Sequence, residues 1–93
     1  MNRRLLKSQA FVRAARKYLN RHPLAVDDLQ ESLQLLLTDA FDLRLRTHKL
    51  KGELKDSWAC SVGYDLRIVF RFVQYEGQEA ILLQTIGTHD EVY

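Results

Sequence analysis

Apolar residues change their spacing partway along the chain, and that change restricts the fold more than any single motif. As far as Ala40 they recur at three- and four-residue intervals, the period of a helix with one buried face. From Trp58 onward they alternate with other residues, the period of a strand. Helices first and strands afterwards predict an α+β fold of two layers, an N-terminal two-helix hairpin packed on a small antiparallel β-sheet. The 93 residues carry no repeat or linker and read as a single domain spanning 1–93.

The elements follow from local chemistry. Arg3 to Leu6 forms a short first strand, and Ser8 caps a helix that buries Phe11, Val12, Ala15, Tyr18 and Leu19. That helix stops near Asn20-Arg21-His22-Pro23, because a residue before proline is pushed out of the helical region. Pro23 suits a first helical turn, and Asp27 and Asp28 sit at the positive end of the next helix. The second helix buries Val26, Leu29, Leu33, Leu36, Leu37 and Ala40. From Asp42 to Asp56 periodicity is lost, so this stretch is expected to be a partly ordered, substrate-facing loop. Trp58, Cys60 and Val62 then begin a hairpin turning at Gly63-Tyr64-Asp65. Leu66, Ile68, Phe70 and Phe72 share one face of the next strand, which turns Arg67 to the other. After a turn at Glu76-Gly77-Gln78, Ala80 to Ile86 is apolar enough for the middle of the sheet, and the last seven residues are expected to leave it.

Hydrophobic residues at 46% and charged residues at 28% are proportions of a folded domain and exclude a disordered chain. The single cysteine, Cys60, has no partner for a disulfide and no spacing that builds a zinc site, which fits a reducing, cytoplasmic setting. Leu5-Leu6 is too short an apolar run for a signal peptide, and no segment suits a membrane. Net charge is only +2, but every charge before Asp27 is basic, and Arg44, Arg46, Lys49, Lys51 and Lys55 form a second basic stretch. Such clustering suits a polyanion such as RNA; it suits a solvated helix face equally.

Three places carry side chains able to do chemistry. In Gly87-Thr88-His89-Asp90-Glu91-Val92-Tyr93 a glycine follows an apolar strand and is itself followed by a histidine, two acids and an aromatic, which reads as a site or as a solvated end. His48 lies in the basic stretch, and two histidines titrating near neutrality suit a base and an acid. A strand arginine on the face opposite the phenylalanines requires an acid or an anion, so Arg67 either pairs with Asp65 or binds phosphate. Trp58 and Tyr64 read as core or turn packing, with base stacking the alternative. His22 reads as structural.

Taken together, His48-Lys49-Leu50-Lys51-Gly52, Trp58, Tyr64-Asp65-Leu66-Arg67-Ile68-Val69-Phe70 and Ile86 to Tyr93 resemble, in order and spacing, the toxins of the RelE/ParE superfamily, especially its YafQ-like branch. The resemblance covers the second half of the chain through motifs and the first half through pattern. It implies a RelE-like microbial ribonuclease fold and the toxin of a type II toxin–antitoxin system. The implied activity is that of an mRNA interferase working without metal or cofactor, often on the ribosome, and restrained by a cognate antitoxin.

Under that resemblance a ribose 2′-hydroxyl attacks the adjacent phosphate, which needs a base, an acid and a cation for the developing charge. Arg67 is the implied phosphorane stabiliser, His89 the acid and His48 the base. Asp65 orients a histidine or serves as the base instead, and Tyr93 contacts the substrate nucleotide. Arg46, Lys49, Lys51, Trp58 and Ser61 make up the implied RNA-binding set. The chain departs from the branch at Ser61, where a sheet histidine is expected, and near Thr85, where an arginine is expected. The lysine pair of RelE has no counterpart between Trp58 and Val62. Two other outcomes of this fold stay open: a ParE-like poison of DNA gyrase, which needs no acid and base, and a non-catalytic protein that only binds an antitoxin.

Overall fold

The computed structural model describes residues 4–92. In chain order these form β1 (Arg4–Lys7), α1 (Gln9–Arg21), α2 (Val26–Thr38), β2 (His48–Lys49), β3 (Trp58–Val62), β4 (Leu66–Tyr75), β5 (Gln78–Thr88) and one helical turn, α3 (His89–Val92). The five strands make one sheet in the order β1-β5-β4-β3-β2, giving a mixed α+β fold. Arg3, at the head of the expected first strand, lies outside the described residues.

Ser8 caps α1 as expected, its Oγ accepting from the Phe11 amide at 3.0 Å. The same hydroxyl donates to the Gln84 carbonyl at 2.9 Å, so one side chain both starts the helix and ties it to β5. α1 ends at Arg21, immediately before His22 and Pro23. His22 stacks on Tyr18 with ring centroids 4.3 Å apart, a structural role as read. Asp27 and Asp28 occupy the first turn of α2.

α1 packs against β5 and α2 against β3. Phe11, Leu29 and Leu36 meet Leu66, Ile68 and Phe70 of β4 and Ile81, Leu83 and Ile86 of β5 in the main core. Phe70 is fully buried; truncating such a ring costs about 3–5 kcal/mol. The helix face differs from expectation in two places. Val26 is 39% exposed because it opens α2 outside the packed turn, and Ser32 takes a buried position, donating to the Ser61 carbonyl at 3.4 Å.

The sheet is not purely antiparallel. β1 runs parallel to β5, from Arg4 opposite Ala80 to Lys7 opposite Leu83. No hairpin joins these strands, so their direction is set by β1 leading straight into α1, which packs back over the sheet. The stretch from Asp42 to Asp56 is more ordered than expected: 3₁₀ turns at Leu43–Leu45 and Gly52–Leu54 flank β2, which pairs with Trp58 and Ala59. β5 runs on through Thr88, so the tail leaves the sheet only at His89. A bulge at Gln84 interrupts the β4–β5 ladder, Val69 facing Thr85 while Phe70 faces Leu83.

Gly63 is required at the β3–β4 turn for two reasons. Its φ is +59°, and a Cβ there would lie 2.7 Å from the Asp28 carboxylate. Glycine alone lets turn and second helix approach this closely.

Candidate functional site

Two rows of residues cross the sheet on the face away from the main core. Ser61 pairs with Arg67 and Arg67 with Gly87; one step along, His48 pairs with Ala59, Ala59 with Val69 and Val69 with Thr85. Cross-strand partners project to the same side, so His48, Ser61 and Arg67 share one face. With strands about 4.8 Å apart and alternate residues about 7 Å apart, the Cα atoms of His48 and Arg67 are separated by about 12 Å. The floor between them is apolar, built from Leu50, Ala59, Val69 and Val92.

Arg67 occupies the middle of this face. Its Nη1 donates to the Leu66 carbonyl at 3.0 Å and to the Tyr64 carbonyl at 3.4 Å. Among the described residues no carboxylate lies within ion-pairing distance of it, so of the two readings of Arg67 the pair with Asp65 does not form. Carbonyl partners orient the guanidinium without cancelling its charge, which leaves it suited to an anion.

His48 is exposed on the edge strand, with Nδ1 3.1 Å from the Arg46 carbonyl. A carbonyl only accepts, so this contact is a hydrogen bond in the tautomer that carries its proton on Nδ1. Arg46 itself has φ of +52°, a left-handed conformation unusual for arginine. Such a residue is held there by its surroundings at a cost of about 1–3 kcal/mol, and such residues gather at functional sites.

His89 opens α3, beyond Gly87 in the row of Arg67. α3 begins with the pattern Thr88-x-x-Glu91, and Glu91 Oε1 accepts from the Thr88 amide at 2.8 Å, one half of a capping box. That hydrogen bond, with Lys17 and Arg21 adding attraction, holds the Glu91 carboxyl below its ordinary value. Val92 seats the turn on the apolar floor, and Gly87 leaves room for it: a Cβ at position 87 would approach Glu91 Cβ to 3.1 Å. The His89 side chain is 59% exposed, with Nδ1 3.5 Å from Asp90 Oδ1.

Beside Arg67 a polar groove of about 480 Å³ is lined by Arg44, Arg46, Ser61, Gly63, Tyr64, Asp65 and Arg67. Four of the residues singled out in the sequence, Arg46, Ser61, Asp65 and Arg67, therefore meet in one place. Arg44, from the basic stretch, and Tyr64, from the turn, join them. Tyr64 lies in the turn, as one of its readings had it, but is 97% exposed and packs against neither core nor turn: it sits at the tip with no layer above it. Trp58 instead packs edge-on against Phe41 and Phe72, at 5.3 and 5.9 Å. Lys49 pairs with Trp58 and so projects to the side opposite His48. Lys51 is exposed just before the Gly52–Leu54 turn. Tyr93 lies outside the described residues.

A second cavity, about 490 Å³ between the end of α1 and the Thr85–Thr88 stretch of β5, holds Lys17, Arg21 and Glu91 but neither Arg67 nor His48. Cys60 is buried, and desolvation pushes its thiol up to about 12, which makes it a poor nucleophile. Among the described residues no group of three or more His, Cys, Asp and Glu is placed to hold a metal ion, and no helix is long and apolar enough to cross a membrane.

The fold recurs in known toxins. YafQ from E. coli strain BL21(DE3) superposes with a TM-score of 0.78 at 15% identity over 98% of each chain. YafQ in the E. coli DinJ-YafQ toxin-antitoxin complex gives 0.76 at 16% over 100% of this chain and 99% of that one. A metal-bound toxin from Helicobacter pylori gives 0.76 at 26% over the whole of both chains. No curated protein sequence matches. The family described as "Bacterial toxin of type II toxin-antitoxin system, YafQ" matches residues 3–93, and the chain belongs to that family.

Proposed function

We propose that this toxin is a metal-independent endoribonuclease, an mRNA interferase that cuts messenger RNA on the ribosome in the cytoplasm and is held inactive by a cognate antitoxin. The observation that carries the reading is Arg67, oriented by two carbonyls, bound to no carboxylate among the described residues, and sharing its sheet face with His48. YafQ in complex with DinJ supports a protein antitoxin as partner. The reading also takes α1 and α2 as a hairpin forming one of two layers, supported by their shared burial of Phe11, Leu29 and Leu36 in the main core.

In this mechanism His48 Nε2 removes the proton from a ribose 2′-hydroxyl as its oxygen attacks the adjacent phosphorus. Arg67 takes up the charge growing on the non-bridging oxygens; loss of one such donor costs about 10²–10³-fold in rate. His89, as imidazolium, protonates the departing 5′-oxygen, leaving a 2′,3′-cyclic phosphate and a free 5′-hydroxyl. Asp65, in the groove beside Arg67, orients a histidine or serves as an alternative base. Arg46, Ser61 and Lys51 hold the RNA, Tyr93 contacts the nucleotide, and Trp58 supports the strand that carries Ser61, while Lys49, turned to the side opposite His48, takes no part.

The test is primer extension on messenger RNA after induction, with wild type beside His89→Ala. Discrete new 5′ ends are expected with wild type alone. Ends that persist in His89→Ala sink the acid assignment; growth arrest without new ends, accompanied by lost gyrase supercoiling, replaces the ribonuclease by a gyrase poison.

A further inference from the structure

Tyr64 stands apart from the other exposed rings. Phe41 stacks on Phe72 at 5.9 Å, and Tyr75 lies under the Arg4 guanidinium at 5.3 Å. Tyr64 is 97% exposed, and among the described residues no ring or guanidinium covers it. An aromatic ring held in water on a turn is a surface waiting for another flat, apolar face.

The turn beneath it is closely packed. Gly63 is left-handed and pressed against Asp28, while the Tyr64 carbonyl accepts from Arg67. The turn that carries the ring is therefore also hydrogen-bonded to the Arg67 guanidinium. Across the groove stand Arg44 and Arg46, from the 3₁₀ turn and its left-handed end. Arg44 uses Nε and Nη2 on Asp42, both at 3.0 Å, and this pair aims a fork that keeps further N–H donors for an anion. Three guanidinium groups and one open ring around a polar groove combine stacking with backbone charge, as single-stranded nucleic acids require.

We propose that this groove is a subsite for the nucleotide next to the cut, its base stacked on Tyr64 and its phosphate bound by Arg44 and Arg46. The proposal rests on the ribonuclease reading for what occupies the neighbouring site. An acidic peptide would satisfy the arginines equally but has no use for the ring, so a flanking nucleotide fits more of the groove. Because every base presents a flat face, the subsite adds affinity with little sequence preference.

The test uses the full chain and fully 2′-O-methylated RNA oligonucleotides of two to five residues, which bind without being cut. Wild type should gain affinity stepwise with length, and Tyr64→Ala should lose about tenfold at the step that fills the subsite while binding the shortest oligonucleotide normally. Tyr64→Phe should behave as wild type, and Arg44→Gln should lower the salt slope by about 1. Equal loss at every length, or no loss at any, overturns the proposal. So does a Tyr64→Ala variant that binds RNA normally but no longer binds its antitoxin, which would assign the groove to protein. Cleavage of messenger RNA on ribosomes by the same variants, read by primer extension, is scored alongside. A wild type that binds with length dependence but does not cut refutes the ribonuclease reading and leaves the subsite standing; one that cuts while Tyr64→Ala ignores length refutes the subsite alone.

Discussion

Replacing Gly87 by alanine adds one methyl group at the point where α3 folds back over the sheet. The new Cβ would lie 3.1 Å from Glu91 Cβ and Oε1 and 3.2 Å from Val92 Cγ1. Carbon atoms settle at about 3.5–4 Å, so something must retreat by about half an ångström. β5 cannot, because Gly87 is paired with Arg67 in the middle of the sheet. α3 can, resting on the sheet through the Thr88–Glu91 hydrogen bond and the half-buried Val92. Losing most of the Val92 packing costs about 1 kcal/mol of local stability, a fall in Tm of several degrees for a domain this size. The effect on chemistry is larger. A catalytic group displaced by about 1 Å loses about 10²-fold, so His89 moving half that far should slow cleavage about tenfold or more. Single-turnover cleavage of messenger RNA on ribosomes, affinity for a 2′-O-methyl oligonucleotide and thermal unfolding separate the two effects. Gly87→Ala should cut slowly yet bind within about twofold of wild type; Glu91→Ala should copy it, and Glu91→Gln, which keeps an accepting oxygen, should not. A Gly87→Ala variant that cuts at the wild-type rate would refute the account of α3 as the device that places His89.

Ser8→Ala removes both the α1 cap and the bond to Gln84, and should destabilise the fold by about 1–2 kcal/mol in denaturant titration while leaving cleavage unchanged below the transition. The Glu91 carboxyl has a depressed folded value, so its contribution to α3 is present above the unfolded value of about 4.3 and is lost as pH falls through the folded one. Amide resonances of Thr88 to Glu91 should therefore shift at a pH below the ordinary glutamate value, and Glu91→Gln should remove the Glu91 part of that shift. For Cys60 the sign is opposite: burial raises the folded value, so its contribution is complete below the unfolded value of about 8.5 and declines as pH rises toward the folded value of about 12. Iodoacetamide at pH 8 should label Cys60 only at the rate of global unfolding, and fast labelling of native protein would contradict its burial.

Features set by contacts within about four residues could be read directly. The Ser8 cap, the stop at His22-Pro23, the turn at Gly63-Tyr64-Asp65 and the outward face of Arg67 all follow from propensity, capping and alternation. β2 escaped because two residues are too few to show a period. The exposure of Tyr64 was missed because an apolar ring next to a glycine turn looks the same in sequence whether the turn is covered or bare. Arg44 gave no signal beyond membership of a basic run.

By itself, then, the sequence determined which elements form, which faces are apolar, and, through its motifs, which family the chain joins. The tertiary structure decided the parallel pairing of β1 with β5 across more than seventy residues, the turning of Lys49 away from His48, and the meeting of Arg44, Arg46, Tyr64 and Arg67 in one groove. It also decided that Arg67 is oriented by carbonyls and left without Asp65. Periodicity reports only which side of its own element a residue takes; which elements lie side by side, and in what register, is settled by long-range burial and pairing that no local spacing encodes.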